Sequence, residues 1–119
     1  MRRSLLGFTV AAALLTGSGM AAAAGFGFLA ESPMGRFNED DLKLMNGAIE
    51  RALAAAELGT PVGWANERTA SSGEVTPQKA FENRGRPCRD LRVVNRHRRL
   101  ESAGVYTMCR EDGQWTLAQ

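Results

Sequence analysis

From Asn38 onward the apolar residues Leu42, Met45, Ile49, Ala52, Leu53 and Ala56 recur at helical spacing with charged residues between them, which predicts one amphipathic α-helix. Asn38 is the expected N-cap, because its side-chain oxygen can accept from the free N–H groups of the first turn. Glu39, Asp40 and Asp41 fall where the helix dipole favours negative charge, and Gly59 after Leu58 supplies the expected stop. Consecutive carboxylates point in different directions around a helix, so the dipole accounts for these three without an acidic site. Gly47 weakens the middle of the helix by about 1 kcal/mol relative to alanine.

After Gly59-Thr60-Pro61 the helical period is lost, and short apolar stretches bounded by turn residues follow. Strands are expected over 62–66, 73–82, 88–95, 103–110 and 114–117. Pro77 lacks a ladder N–H and marks an edge or a bulge, while Asp112-Gly113 suits a hairpin turn with φ > 0. The predicted fold class is α+β: one N-terminal helix packed on a four- or five-stranded antiparallel meander, stapled by one disulfide. Trp64, Phe81, Leu91, Val93, Tyr106, Met108, Trp115 and Leu117 form the expected sheet side of the core.

The start of the chain has a different pattern. Arg2 and Arg3 precede an uncharged apolar run from Leu5 to Leu15, Gly17 and Gly19 interrupt it, and Ala22 and Ala24 present small side chains before Gly25. That order is the order of a secretory signal, so 1–24 is expected to be removed after export. The run is shorter than the roughly 20 apolar residues of a spanning helix, so the mature chain is not expected to cross the membrane. Residues 25–36, rich in glycine and ending beyond Pro33, read as a flexible tether, and 37–119 as the domain.

Export changes the meaning of the cysteines. Cys88 and Cys109 are the only two, and in an oxidising compartment a small core gains from joining them. Placing them opposite each other in a hairpin sets Leu91 against Tyr106 and Arg89 against Met108 on one face, with Asp90 against Thr107 and Arg92 against Val105 on the other. Apolar pairs then gather on the helix-facing side. Closing a loop of about 21 residues stabilises by about 3 kcal/mol.

No constellation for catalysis emerges. His97 is the only histidine and reads as a solvated loop residue, Ser71 and Ser72 read as turn residues, and no phosphate-binding glycine loop occurs. Two cysteines and one histidine provide no zinc set, and no cofactor is expected. The 15 Lys and Arg against 13 Asp and Glu become equal once Arg2 and Arg3 are removed. The remaining charge is unevenly spread, with Arg84, Arg86, Arg89, Arg92, Arg96, Arg98 and Arg99 concentrated before and within one hairpin. Arg96, Arg98 and Arg99 at its tip are the candidate anion-binding residues, because planar guanidinium donors suit phosphate and carboxylate. Expected partners are anionic envelope components, such as lipopolysaccharide, lipid or peptidoglycan, or an acidic envelope protein. Nucleic acid is not expected, since no aromatic residues interleave with the arginines to stack bases.

Several segments in order, Gly59-Thr60-Pro61-Val62-Gly63-Trp64-Ala65-Asn66, Ser72-Gly73-Glu74-Val75-Thr76-Pro77, Gly85-Arg86-Pro87-Cys88-Arg89 and Cys109-Arg110-Glu111-Asp112-Gly113-Gln114-Trp115, resemble the C-terminal domain of the rickettsial seventeen-kilodalton surface antigen family. Ser32-Pro33-Met34 and Asp41-Leu42-Lys43-Leu44-Met45 also look like the helix segment of these proteins. The resemblance implies an envelope protein, in the periplasm, at the outer membrane or on the cell surface, acting as a noncatalytic structural or interaction module. It carries no catalytic residues across. The sequence departs from the family in lacking a lipidated cysteine near its start and in having a Gly-Phe-Gly-Phe stretch too short for a glycine zipper. A second reading, a small periplasmic inhibitor or accessory subunit docking on an envelope enzyme, would require one stoichiometric enzyme partner.

Overall fold

The computed structural model describes residues 32–118. The expected signal, 1–24, and the tether before residue 32 lie outside them. The last residues of the tether form one 3-10 turn, Pro33–Arg36, with Pro33 buried. Helix α1 follows over Glu39–Ala54, and a five-stranded antiparallel meander completes the domain: β1 Val62–Asn66, β2 Ser71–Asn83, β3 Arg86–His97, β4 Leu100–Glu111 and β5 Gln114–Leu117. The sheet curls into a half-barrel around the helix.

Asn38 caps α1 as expected, with a reciprocal arrangement: its side chain accepts from the Asp41 N–H at 2.9 Å, and Asp41 Oδ2 accepts from the Asn38 N–H at 3.0 Å. The other end differs from expectation. The helix stops at Ala54, well before Gly59, because the Arg89 guanidinium on β3 donates to the Ala52 and Ala55 carbonyls at 3.0 and 2.8 Å. A cation on the last carbonyls satisfies acceptors that a further turn would have used. Gly59, at φ 91°, serves the loop instead, and its N–H donates to the Pro77 carbonyl at 2.7 Å.

Cys88 and Cys109 are joined and sit directly opposite each other, and the expected register of β3 on β4 holds throughout: Arg89 faces Met108, Asp90 faces Thr107, Leu91 faces Tyr106 and Arg92 faces Val105. Pro77 lies beyond the last pair of β1 with β2, Val62 with Val75, and beside a bulge between Pro77 and Lys79, so its missing N–H costs no ladder bond. The two-residue turns at Arg84-Gly85 and Asp112-Gly113 have φ > 0 at both positions, the hairpin geometry that matches strand twist.

Met45, Ala48, Ala52 and Leu53 of the helix pack on Trp64, Val75, Leu91 and Val93, with Phe37, Leu42, Met108 and Trp115 at the margin. Gly73 admits the Trp64 indole: a Cβ there would stand 2.5 Å from both Trp64 Nε1 and the Val94 carbonyl. Three expected core residues are not in the core. Phe81 is only half-buried and stands outside the cluster, with the Lys79 ammonium 5.3 Å from its ring centroid. Tyr106 is 47% exposed and Leu117 56%, because α1 lies against β1 and β2 and leaves the concave face of β4 and β5 largely uncovered.

Candidate functional site

The tip of the β3–β4 hairpin is built by the elements beneath it. Both strands run further than expected, so the turn contracts to Arg98 and Arg99, and Arg96 belongs to β3 rather than to a loop. There Arg96 faces Glu101 and forms ion pairs with Glu101 at 3.2 Å and Glu74 at 3.3 Å. Arg98 and Arg99 are exposed and make no ion pair among the described residues. Arg98 has φ 53°, a left-handed conformation that costs a residue with a side chain about 1 kcal/mol or more. Its N–H donates to the Ala70 carbonyl at 2.9 Å, which ties the hairpin tip to the β1–β2 turn. The tip borders a shallow depression lined by Arg36, His97, Arg98, Arg99 and Leu100.

His97 is not the solvated loop residue that the sequence suggests. It ends β3, half-buried, with Nδ1 at 2.8 Å from Ser71 Oγ and its ring at an edge angle to Phe37. Ser71, read as a turn residue, is the buried first residue of β2 and also reaches Asp41 Oδ2 at 3.2 Å. Asp41, which the helix dipole alone was expected to explain, is fully buried. Its carboxylate collects the Asn66 amide at 2.8 Å, the Thr69 hydroxyl at 2.7 Å, Ser71 and the Asn38 N–H. Burial pushes this carboxyl up, but the donors from Thr69, Asn38, Asn66 and Ser71 outweigh it and hold it below the ordinary aspartate range.

Carboxylate, serine and imidazole thus lie in contact, but in an order unsuited to acyl transfer. Asp41 bonds to the serine, at 3.2 Å, and makes no bond to the imidazole among the described residues. A serine nucleophile needs the imidazole to accept its proton, with the carboxylate behind the imidazole. Buried at 2% exposure, Ser71 has no room for a substrate. The group is a structural knot that fastens the start of α1 to the β1–β2 turn and, through His97 and Ala70, to the cationic tip. Among the described residues no group of three or more His, Cys, Asp or Glu side chains is arranged to hold a metal ion. None of their helices is long and apolar enough to cross a membrane.

The segments that carry the family resemblance have internal roles. Trp64 fills the core over Gly73, Asn66 serves Asp41, Pro77 sits at the bulge, Cys88 and Cys109 staple the hairpin, Arg89 ends the helix, and Asp112-Gly113 makes the last turn. A family described as 17 kDa outer membrane surface antigen matches residues 51–116. The chain belongs to this family. It is 39% identical over 84 residues to a 17 kDa surface antigen of Rickettsia bellii, a match covering 67% of this chain and 52% of that protein. Over the same coverage it is 32% identical to the 17 kDa surface antigen of Rickettsia prowazekii and 34% to that of Rickettsia conorii. The chain therefore spans about half the length of these curated relatives. No solved structure gives a significant match.

Proposed function

We propose that this member of the surface antigen family is a noncatalytic module of the bacterial cell envelope that binds an anionic envelope component through Arg98 and Arg99. The observation that carries the reading is a division of labour among the polar residues. The distinctive side chains of the family segments are committed to core, caps and turns, whereas two neighbouring guanidinium groups, without an ion pair among the described residues, stand at a tip whose backbone is fastened below. A held tip loses less entropy on binding than a free one. Arg96, already shared between Glu74 and Glu101, supports the hairpin and offers less to a partner. Export with removal of 1–24, and residence in the periplasm or at the outer membrane, belong to the same proposal.

The test uses the exported protein and its R98S/R99S variant with three probes: vesicles containing phosphatidylglycerol, purified lipopolysaccharide and purified sacculi. The parent is expected to bind at least one probe, with affinity falling as salt is raised, and the variant to lose both the binding and the salt dependence. Exposed charges contribute little to stability, so the variant's melting midpoint should stay within a few degrees of the parent. Equal binding by parent and variant to all three probes, or none by either, would remove the proposal.

A further inference from the structure

The last pairing in the sheet leaves most of one strand edge open. Strand β5 pairs only with Met108–Glu111 of β4, and beyond it the Ala118 N–H donates to the Thr107 carbonyl at 2.8 Å. That bond shows that the backbone groups of Thr107 face away from β3. Successive residues of a strand face alternate sides, so the N–H and C=O groups of Glu101, Ala103 and Val105 face the same open edge. None of these three finds a backbone partner among the described residues. The edge also lacks the usual protection: from Leu100 to Thr107 it holds no proline and no lysine, and Glu101 is its only charged residue.

Exposed apolar surface gathers at the same place. Of the seven exposed large apolar side chains among the described residues, five, Met34, Leu100, Val105, Tyr106 and Leu117, lie on this edge or beside it. Met34, Tyr106 and Leu117 line an apolar groove of about 250 Å³ with Met45, Leu91 and Met108. We infer that this edge joins a second copy of the chain, β4 against β4 antiparallel, with Ala103 on the two-fold axis. The register follows from the free groups themselves. Glu101, Ala103 and Val105 are spaced symmetrically about Ala103, so placing Ala103 opposite its own copy sets Glu101 opposite Val105 and satisfies every free pair. Sliding the copies by two residues either way leaves groups of at least one residue unmatched or drives them against the bond that Thr107 makes with Ala118. On the concave face the same register sets Leu100 of one copy beside Tyr106 of the other, at the mouth of the groove. No like charges meet, since Glu101 faces Val105 and keeps its own Arg96. The contact is isologous and closes at two copies.

The inference goes beyond the proposed envelope function and is tested separately from it, by light scattering on the exported protein over a range of concentrations. The parent is expected to show twice the mass of one chain. Ala103→Pro removes only an edge-facing N–H and no bond to β3, so it should weaken association at least about tenfold while the circular dichroism is unchanged. Val105→Lys, which places a charge on the seam at an exposed position, should act in the same direction and serves if the proline variant does not fold. R98S/R99S should remain dimeric whatever its binding. A parent of single-chain mass at every concentration, a larger assembly, or a dimer that survives in the folded variants would overturn the inference.

Discussion

Replacing Asp41 with alanine is expected to destabilise the domain by about 4 kcal/mol, close to the whole stability of a fold this small. The substitution leaves four donors, Asn38 N–H, Asn66 Nδ2, Thr69 Oγ1 and Ser71 Oγ, without their acceptor beneath the start of α1. A buried donor without a partner costs about 1–3 kcal/mol, and partial relaxation keeps the total below the sum. Asp41→Asn should cost less, because one carboxamide oxygen still accepts. Chemical denaturation of the three proteins measures the order parent, asparagine, alanine. An alanine variant within 1 kcal/mol of the parent would show that the knot is dispensable. The same carboxyl sets a pH dependence. Its native pKa lies below the unfolded value, so its contribution is present above the ordinary aspartate range and is lost as pH falls through the native pKa. Stability of the parent should therefore fall more steeply below about pH 4 than that of Asp41→Asn.

Breaking the staple is the second large effect. Cys88 and Cys109 close a loop with a sequence separation of 21, and their joint replacement by serine should cost about 2–5 kcal/mol, chiefly by releasing the unfolded chain. Both positions are 1% exposed, so the serine hydroxyls add to the cost. Thermal unfolding of the double variant measures this. The hairpin retains its turn and register, so affinity for any anionic probe, measured below the lowered melting temperature, should change little. An unchanged melting temperature would deny the disulfide its structural role.

What could be read in advance divides along the range of the interactions. The stripe from Leu42 to Leu53, the Asn38 cap, the turn at Asp112-Gly113 and the irregularity at Pro77 are set by nearby residues, and each was legible. The β3–β4 register was legible too, because two cysteines in a chain expected to be exported form a single constraint that orders every pair from Arg89 to Val105. The misreadings come from partners distant in sequence. α1 ends early because Arg89, from a strand, takes its carbonyls. The sequence leaves Asp41 to the helix dipole, Ser71 to a turn and His97 to solvent, because their hydrogen bonds link residues 25 to 30 positions apart. Tyr106 and Leu117 fit the alternation of a buried strand face, but a single helix cannot cover five strands, and where it lies is a tertiary fact that alternation does not carry. At the candidate site the arginines were visible in the sequence. Their division into Arg96, held by two carboxylates, and Arg98 with Arg99, which form no ion pair among the described residues, required the sheet.

The central claim, an exported and stapled envelope module, is tested most directly by fractionating cells that express the full chain under nonreducing conditions with alkylation, then determining the mass of the recovered protein and its peptides. The expected result is a protein in the envelope fractions that begins at or near Gly25 and yields a peptide joining Cys88 to Cys109. A chain recovered from the cytoplasm with Met1 in place and both thiols alkylated would contradict the account.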